Sequence, residues 1–295
     1  MQFLNPCNDV AFKKIFGSEE HKNVTISFLN SILEYTGDRQ ITDVQFLNTE
    51  QKGVMPGKKD NILDILCIDQ LHNRYIVEVQ VMGLEEFDKR VVFYGAKTYA
   101  LQLGAAQSYQ ILNPVVAISV LNFTYFKNKP DYKSIHLLLD KKTHEHDLKE
   151  LSFAFIELPK FNKQAHELIT NEDKWIYFLK NIRQEQQIPT PLNSNEFKAA
   201  CQAANRMTWT EVEYNAYEDA IIAANDEVGK INFAHKEGIE VGRKEGIEVG
   251  IEEGEAKNKL ATVKNLLSMN EFSIDKISQI TGFTVDQINQ IKKTN

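Results

Sequence analysis

The chain has 295 residues, 42% hydrophobic and 25% charged, enough apolar material to fill a sizeable core and more than one domain. The net charge of −7 argues against a generally basic nucleic-acid coat, but residues 211–255 hold 13 acids against 4 bases, which leaves the rest of the chain at +2 and a locally basic groove open to it. Cys7, Cys67 and Cys201 are odd in number and far apart, which excludes a disulfide framework or a zinc spacing and fits a reducing cytoplasm.

The opening MQFLNPCND lacks the basic and apolar regions of a signal peptide, and no run nears the roughly 20 apolar residues of a membrane helix. A cytoplasmic location without membrane contact is therefore expected. Residues 9–17 and 21–35 carry apolar side chains at helical spacing: Phe12, Ile15 and Phe16 in the first, Ile26, Leu29, Ile32 and Leu33 in the second. Gly17 and Gly37 are placed to close these helices. ITDVQFLNT (41–49) reads as a strand and QKGVMPGKKDN (51–61) as a loop.

Residues 61–81, NILDILCIDQLHNRYIVEVQV, are two apolar runs around a short polar turn, the pattern of an antiparallel hairpin. Residues 85–103 read as a helix with Phe87, Val91, Tyr94, Thr98 and Leu101 along one face. PVVAISVL (114–121) predicts a strand buried on both faces, and 134–139 and 151–158 two further strands. This order predicts an α/β or α+β core, a mixed sheet with helices packed on it.

From 165 to 235 the pattern is helical, interrupted by QQIPTPLNS at 186–194. KEGIEVG then occurs twice, at 236–242 and 244–250, with glycines at 238, 242, 246, 250 and 254. On a helix these form a slowly winding stripe. Each costs about 1 kcal/mol against alanine, so the helix needs close backbone contact to offset the loss. The Ile/Val pairs at 239/241 and 247/249 also need burial. Self-association through residues 236–254 satisfies both needs; a frayed, solvated acidic segment is the alternative. Residues 258–292 read as a small helical unit in which Thr284 and Gln287 form a capping box. Its helices around TGFT have a helix-turn-helix outline, but few basic residues face the recognition position, which favours a helical hairpin packed on a partner.

Asp64 interrupts ILDILCI and Glu78 interrupts YIVEVQV. Burying an ionised carboxylate without a partner is costly, so such groups are usually paired, metal-bound or functional. Alternation puts Asp64, Leu66 and Ile68 on one face and Ile76, Glu78 and Gln80 on one face of the next strand, so a hairpin brings the two acids together. Two hard carboxylates suit Mg²⁺, which takes one or two and keeps several waters. A cation there polarises a phosphoryl oxygen and acidifies a bound water. The Gln80 amide is placed to orient that water. THEHD (143–147) offers His144 and His146, for which a solvated loop is the simpler reading.

These pieces together resemble the PD-(D/E)XK nuclease superfamily and, within it, the Rpn-type recombination-promoting nuclease and transposase family. The matching segments are NDVAFKKIFG, DNILDILCID, YIVEVQV, RVVFYGAKTYALQL, YQILNPVVAISVLNF and FAFIELPKF, with the glycine-spaced tail, over about residues 5–255. The resemblance implies a three-layer core with a mixed sheet, followed by an α-helical C-terminal region. It implies metal-dependent hydrolysis of double-stranded DNA, with a role in recombination.

By that similarity Asp64 and Glu78 are ligands of Mg²⁺ or another divalent cation, with the Val79 carbonyl as a third contact. Gln80 stands where the superfamily usually has lysine, which removes a cation. Asp9 matches the acid of the first-helix motif and either meets the metal through water or caps the helix. Arg90, Tyr94 and Lys97 share a helix face that could meet phosphates; the alternative is an ordinary face with Tyr94 in the core. Lys13 either touches DNA or is solvated. The organisation expected is a nuclease-like core at 1–163, a helical extension at 164–235, the glycine-striped oligomerisation helix at 236–257 and a small helical unit at 258–295. The rival reading of function is a nuclease fold that no longer cuts and serves as a DNA-binding or assembly module.

Overall fold

The computed structural model describes residues 1–51, 61–83, 86–104 and 106–293, which divide into two units, Met1–Asn225 and Asp226–Asn295. The first is built on a six-stranded mixed sheet of β1 (Val44–Phe46), β4 (Ile65–Asp69), β5 (Arg74–Gln80), β6 (Val115–Leu121), β8 (Leu148–Glu157) and β7 (Lys133–Leu138), in that spatial order. β4 and β5 form the expected antiparallel hairpin, with Ile65 opposite Val77 and Cys67 opposite Tyr75. β5, β6 and β8 run parallel, and the edge strands are antiparallel. β2 (Glu50–Gln51) and β3 (Asn61–Ile62) pair separately. Gln51 and Asn61, expected in a loop, are thus paired, while 52–60 lie outside the described residues.

Alternation divides the sheet's side chains between two apolar layers. One joins Ile65, Cys67, Val77, Val79, Ile118 and Ile156 to the buried faces of α1 (Asp9–Phe16), α2 (Lys22–Leu33), α4 (Asn171–Asn181) and α5 (Asn195–Ala204). The other joins Leu66, Ile76, Ala117, Leu121 and Phe155 to Phe87 and Val91 of α3 (Phe87–Ala100), the crossover helix between β5 and β6. Every residue of β6 is buried, as its continuous β-branched run predicts. α4 and α5, expected in a helical extension, share the first layer with the sheet, because Trp175 meets Phe16 and Phe28, Phe178 meets Phe16, and Phe197 packs on Trp175 there.

One of the two expected helix ends differs. Gly17 closes α1, donating to the Lys13 carbonyl at 2.8 Å. α2 stops earlier, at Leu33, with Glu34 in the left-handed conformation at φ 54°, and Gly37 serves a later turn. The last helix of the first unit, α6 (Glu211–Met269), continues into the second. In the second unit Val263 packs with Ile277 of α7 (Ile274–Thr281) and Ile288 of α8 (Val285–Lys293). Thr284 and Gln287 close the expected capping box, with reciprocal hydrogen bonds of 2.9 and 3.3 Å. No described helix is long and apolar enough to cross a membrane.

Candidate active site

The hairpin register, continued one step beyond Ile65–Val77, sets Asp64 opposite Glu78. Asp64 was expected inside a strand; it sits in the bend between β3 and β4. The ladder gives way to side chains there. The Asp64 backbone N–H donates to Glu78 Oε1 at 3.0 Å, and the Val79 N–H donates to Asp64 Oδ2 at 2.9 Å. Each acid thus satisfies a backbone donor that the shortened strand leaves open. The N–H and C=O of one strand residue project to the same side, so the Val79 carbonyl lies along the edge that Asp64 occupies.

Glu78 is buried at 8% exposure, and the Asp64 side chain is 13% exposed. Burial first, and then the charge of Asp64, push the Glu78 carboxyl up to about 8. Burial also raises Asp64, opposed by the Val79 hydrogen bond, while the charge of Asp9 adds to the rise. Two carboxylates held this close in a poorly hydrated place lack sufficient positive charge. Lys13 supplies part of it, its Nζ 3.7 Å from Asp64 Oδ1. Lys13 follows Asp9 by one helical turn, so both reach the acid pair from the same face of α1. Asp9 does not cap that helix: the Asn8 side chain does, accepting from the N–H groups of Val10 and Ala11, and exposed Asp9 is left to act through its charge.

The α3 side of the sheet completes the surroundings. The Arg90 guanidinium donates through Nη2 to Gln80 Oε1 and lies 5.1 Å from the Phe87 ring and 5.7 Å from the Tyr94 ring. Burial raises the Tyr94 phenol; Arg90 opposes the rise, and the charges of Glu78 and Asp64 add to it, so the phenol is within electrostatic reach of both acids. Ser119 is the register partner of Glu78 on β6, and its hydroxyl is buried without a hydrogen-bond partner. That position is the lone polar residue in the otherwise apolar strand VVAISVL, where the break in the apolar run is its sequence signal.

Lys97 is not brought to this place. It is buried at 6% exposure, donates to the Gln51 carbonyl at 2.8 Å and to Asn61 Oδ1, and so ties the β2–β3 pair to α3. It lies two helical turns beyond Arg90 along the same face of α3. His144 lies in an exposed turn, and His146 lines a pocket of about 470 Å³ with Tyr35, Asn73 and Val116, at the end of β5 and β6 away from Glu78.

The donor set fits a divalent cation. Asp64 Oδ1 and Glu78 Oε2 are not taken up by backbone hydrogen bonds, both acids gain from added positive charge, and hard oxygens suit Mg²⁺. Among the described residues no group of three or more His, Cys, Asp or Glu gathers to hold a metal, so a cation here would take two carboxylate side chains, with backbone oxygen and water completing its shell.

A mixed sheet between helices, with one acid on β5 and a second in the bend before β4, is a nuclease-type core of the PD-(D/E)XK kind. The description of PD-(D/E)XK nuclease family transposases matches residues 6–234, and the chain belongs to that family. No curated protein and no solved structure matched it.

Proposed function

We propose that the protein is a divalent-metal-dependent endonuclease acting on double-stranded DNA, and that its cuts can initiate recombination. The observation that carries this reading is the Asp64–Glu78 pair, buried, in register and cross-linked through each other's backbone. In hydrolysis a water oxygen bonds to phosphorus and one bridging P–O bond breaks. The water gives up a proton and the leaving alkoxide takes one. A bound Mg²⁺ supplies Lewis acidity and a more acidic water.

On this reading Asp64 and Glu78 hold the cation, with the Val79 carbonyl as a third contact. Gln80 orients the attacking water through its amide, and Asp9 holds a water of the cation's shell. Lys13 and Tyr94 meet the phosphate backbone from α1 and α3. Supercoiled plasmid with 10 mM-scale Mg²⁺ is expected to be nicked and linearised, and chelation to stop it. Asp64→Ala is expected to lower the rate by roughly 10³-fold or more. Cleavage by Asp64→Ala at the wild-type rate removes the site assignment. DNA binding without cleavage in any divalent metal favours the rival reading of an inactive assembly module, which the uncharged Gln80 motivates.

Cutting both strands calls for two sites, and the glycine-striped part of α6 offers a means of pairing. A Cβ added at Gly238, Gly242, Gly246, Gly250 or Gly254 meets nothing within 4 Å, and Ile239, Val241, Ile247 and Val249 are each at least half exposed. Homo-oligomerisation through residues 236–254 brings these together. Gly242→Leu with Gly246→Leu is expected to shift the sedimenting species from oligomer to monomer at micromolar concentration; an unchanged distribution refutes this contact.

A further inference from the structure

Position 80 carries no charge, yet hydrolysis of a phosphodiester builds negative charge on the phosphoryl oxygens that something beside the acids must stabilise. The side chain in direct contact with Gln80 is Arg90. Its guanidinium is unusual in three ways. It pairs with no carboxylate among the described residues, and the side-chain group that accepts from it is the neutral Gln80 amide oxygen. Its Nε is buried and has no hydrogen-bond partner. It lies 5.1 Å from the Phe87 ring and 5.7 Å from the Tyr94 ring, within cation–π range of both. A half-buried guanidinium with an unused donor is an incomplete site for an oxyanion, because such a fork is satisfied by bidentate acceptors.

Gln80 closes the arrangement. With its amide oxygen committed to Arg90, its NH₂ is the end left for a phosphate or a water. Gln80 also neighbours Val79, whose N–H bonds Asp64, so the guanidinium is tied to the strand that carries the acids. We infer that Arg90 supplies, from α3, the cation that position 80 lacks, gripping the scissile phosphate together with the Gln80 amide. This rests on the endonuclease reading above. Lys13 is the rival source of charge, since it already touches Asp64.

The test is a double-mutant cycle read in single-turnover plasmid cleavage, with DNA affinity measured separately in Ca²⁺. Arg90→Ala is expected to slow cleavage by about 10²–10³-fold, the loss of one strong transition-state donor, with affinity changed less than about threefold. Gln80→Lys puts an ammonium on the strand itself. In that background Arg90→Ala is expected to cost less than about tenfold, a rescue that a merely structural role cannot produce. Arg90→Lys, which keeps charge and bulk, guards against misfolding, with circular dichroism as the check, and is expected to lose about tenfold because it cannot fork.

Equal losses from Arg90→Ala in both backgrounds overturn the inference, as does a loss confined to DNA affinity. A rescue by Gln80→Lys of Lys13→Ala, but not of Arg90→Ala, assigns the role to Lys13 and overturns it too. If wild type does not cleave, the endonuclease reading fails and this inference with it; if wild type cleaves and the cycle is additive, this inference alone fails.

Discussion

Glu78→Gln is expected to abolish cleavage and, at the same time, to make the metal-free protein more stable at alkaline pH. The two effects have one cause. Burial and the nearby Asp64 charge hold the Glu78 proton up to about pH 8, whereas an unfolded glutamate releases it near 4.5. Between those values the folded state binds more protons than the unfolded one. Stability therefore falls as pH rises through that window, and the full penalty is present above it. Glutamine cannot ionise, keeps an oxygen for the Asp64 N–H, and has the unpartnered Ser119 hydroxyl beside it to accept from its NH₂. At pH 9 a rise in Tm of roughly 4–8 °C over wild type is expected without divalent metal, shrinking towards zero near pH 5. Adding Mg²⁺ is expected to raise the wild-type Tm and leave the variant's unchanged, since a ligand that binds only the folded state stabilises it by mass action. Cleavage is expected to fall by roughly 10³-fold or more. A variant as pH-sensitive as wild type would show that the strain of this site lies elsewhere.

The acid pair was legible because a two-residue period and a short turn decide a hairpin's register almost alone. Asp64 and Glu78 break apolar runs at matching positions, and no long-range contact is needed to set them opposite each other. The mixed sheet and the fully buried β6 followed from the same periodicity. What the sequence concealed depends on neighbours brought in from elsewhere in the chain. Nothing local shows that Asn8 rather than Asp9 takes the cap of α1, or that Lys13 reaches a carboxylate some 50 residues away. Lys97 shares a helical face with Arg90 on spacing alone, but two turns along α3 it meets the β2–β3 pair, which buries it. α4 and α5 read as an extension because the pattern turns helical from about residue 165. Their aromatic faces are completed only by α1 and α2, which lie far away in sequence.

A large loss of stability is expected from Glu157→Ala, which also bears on the site. Glu157 ends β8, beside Leu121 of β6, and its side chain is 2% exposed. It accepts from the N–H groups of Tyr125 and Phe126 at 2.6 and 3.0 Å and from Lys160 Nζ at 2.6 Å. Alanine leaves two backbone donors and a 10%-exposed ammonium without that acceptor, a change that costs about 3–5 kcal/mol, or roughly 6–15 °C in Tm. Glu157→Gln keeps one carbonyl oxygen for the loop and is expected to cost about half as much. Lys160→Met added to Glu157→Ala removes the stranded cation and is expected to recover part of the loss. The two N–H groups of the loop stay unmet, so recovery is incomplete. The loop matters to the chemistry because the Tyr125 hydroxyl donates to Asp88 Oδ1 at 2.8 Å in the first turn of α3, two residues before Arg90. If Arg90 serves the phosphate, loosening this support is expected to lower the cleavage rate of Glu157→Gln at temperatures well below its Tm, while DNA affinity holds. A variant that loses stability but cleaves at the wild-type rate would show that α3 keeps its place without the loop.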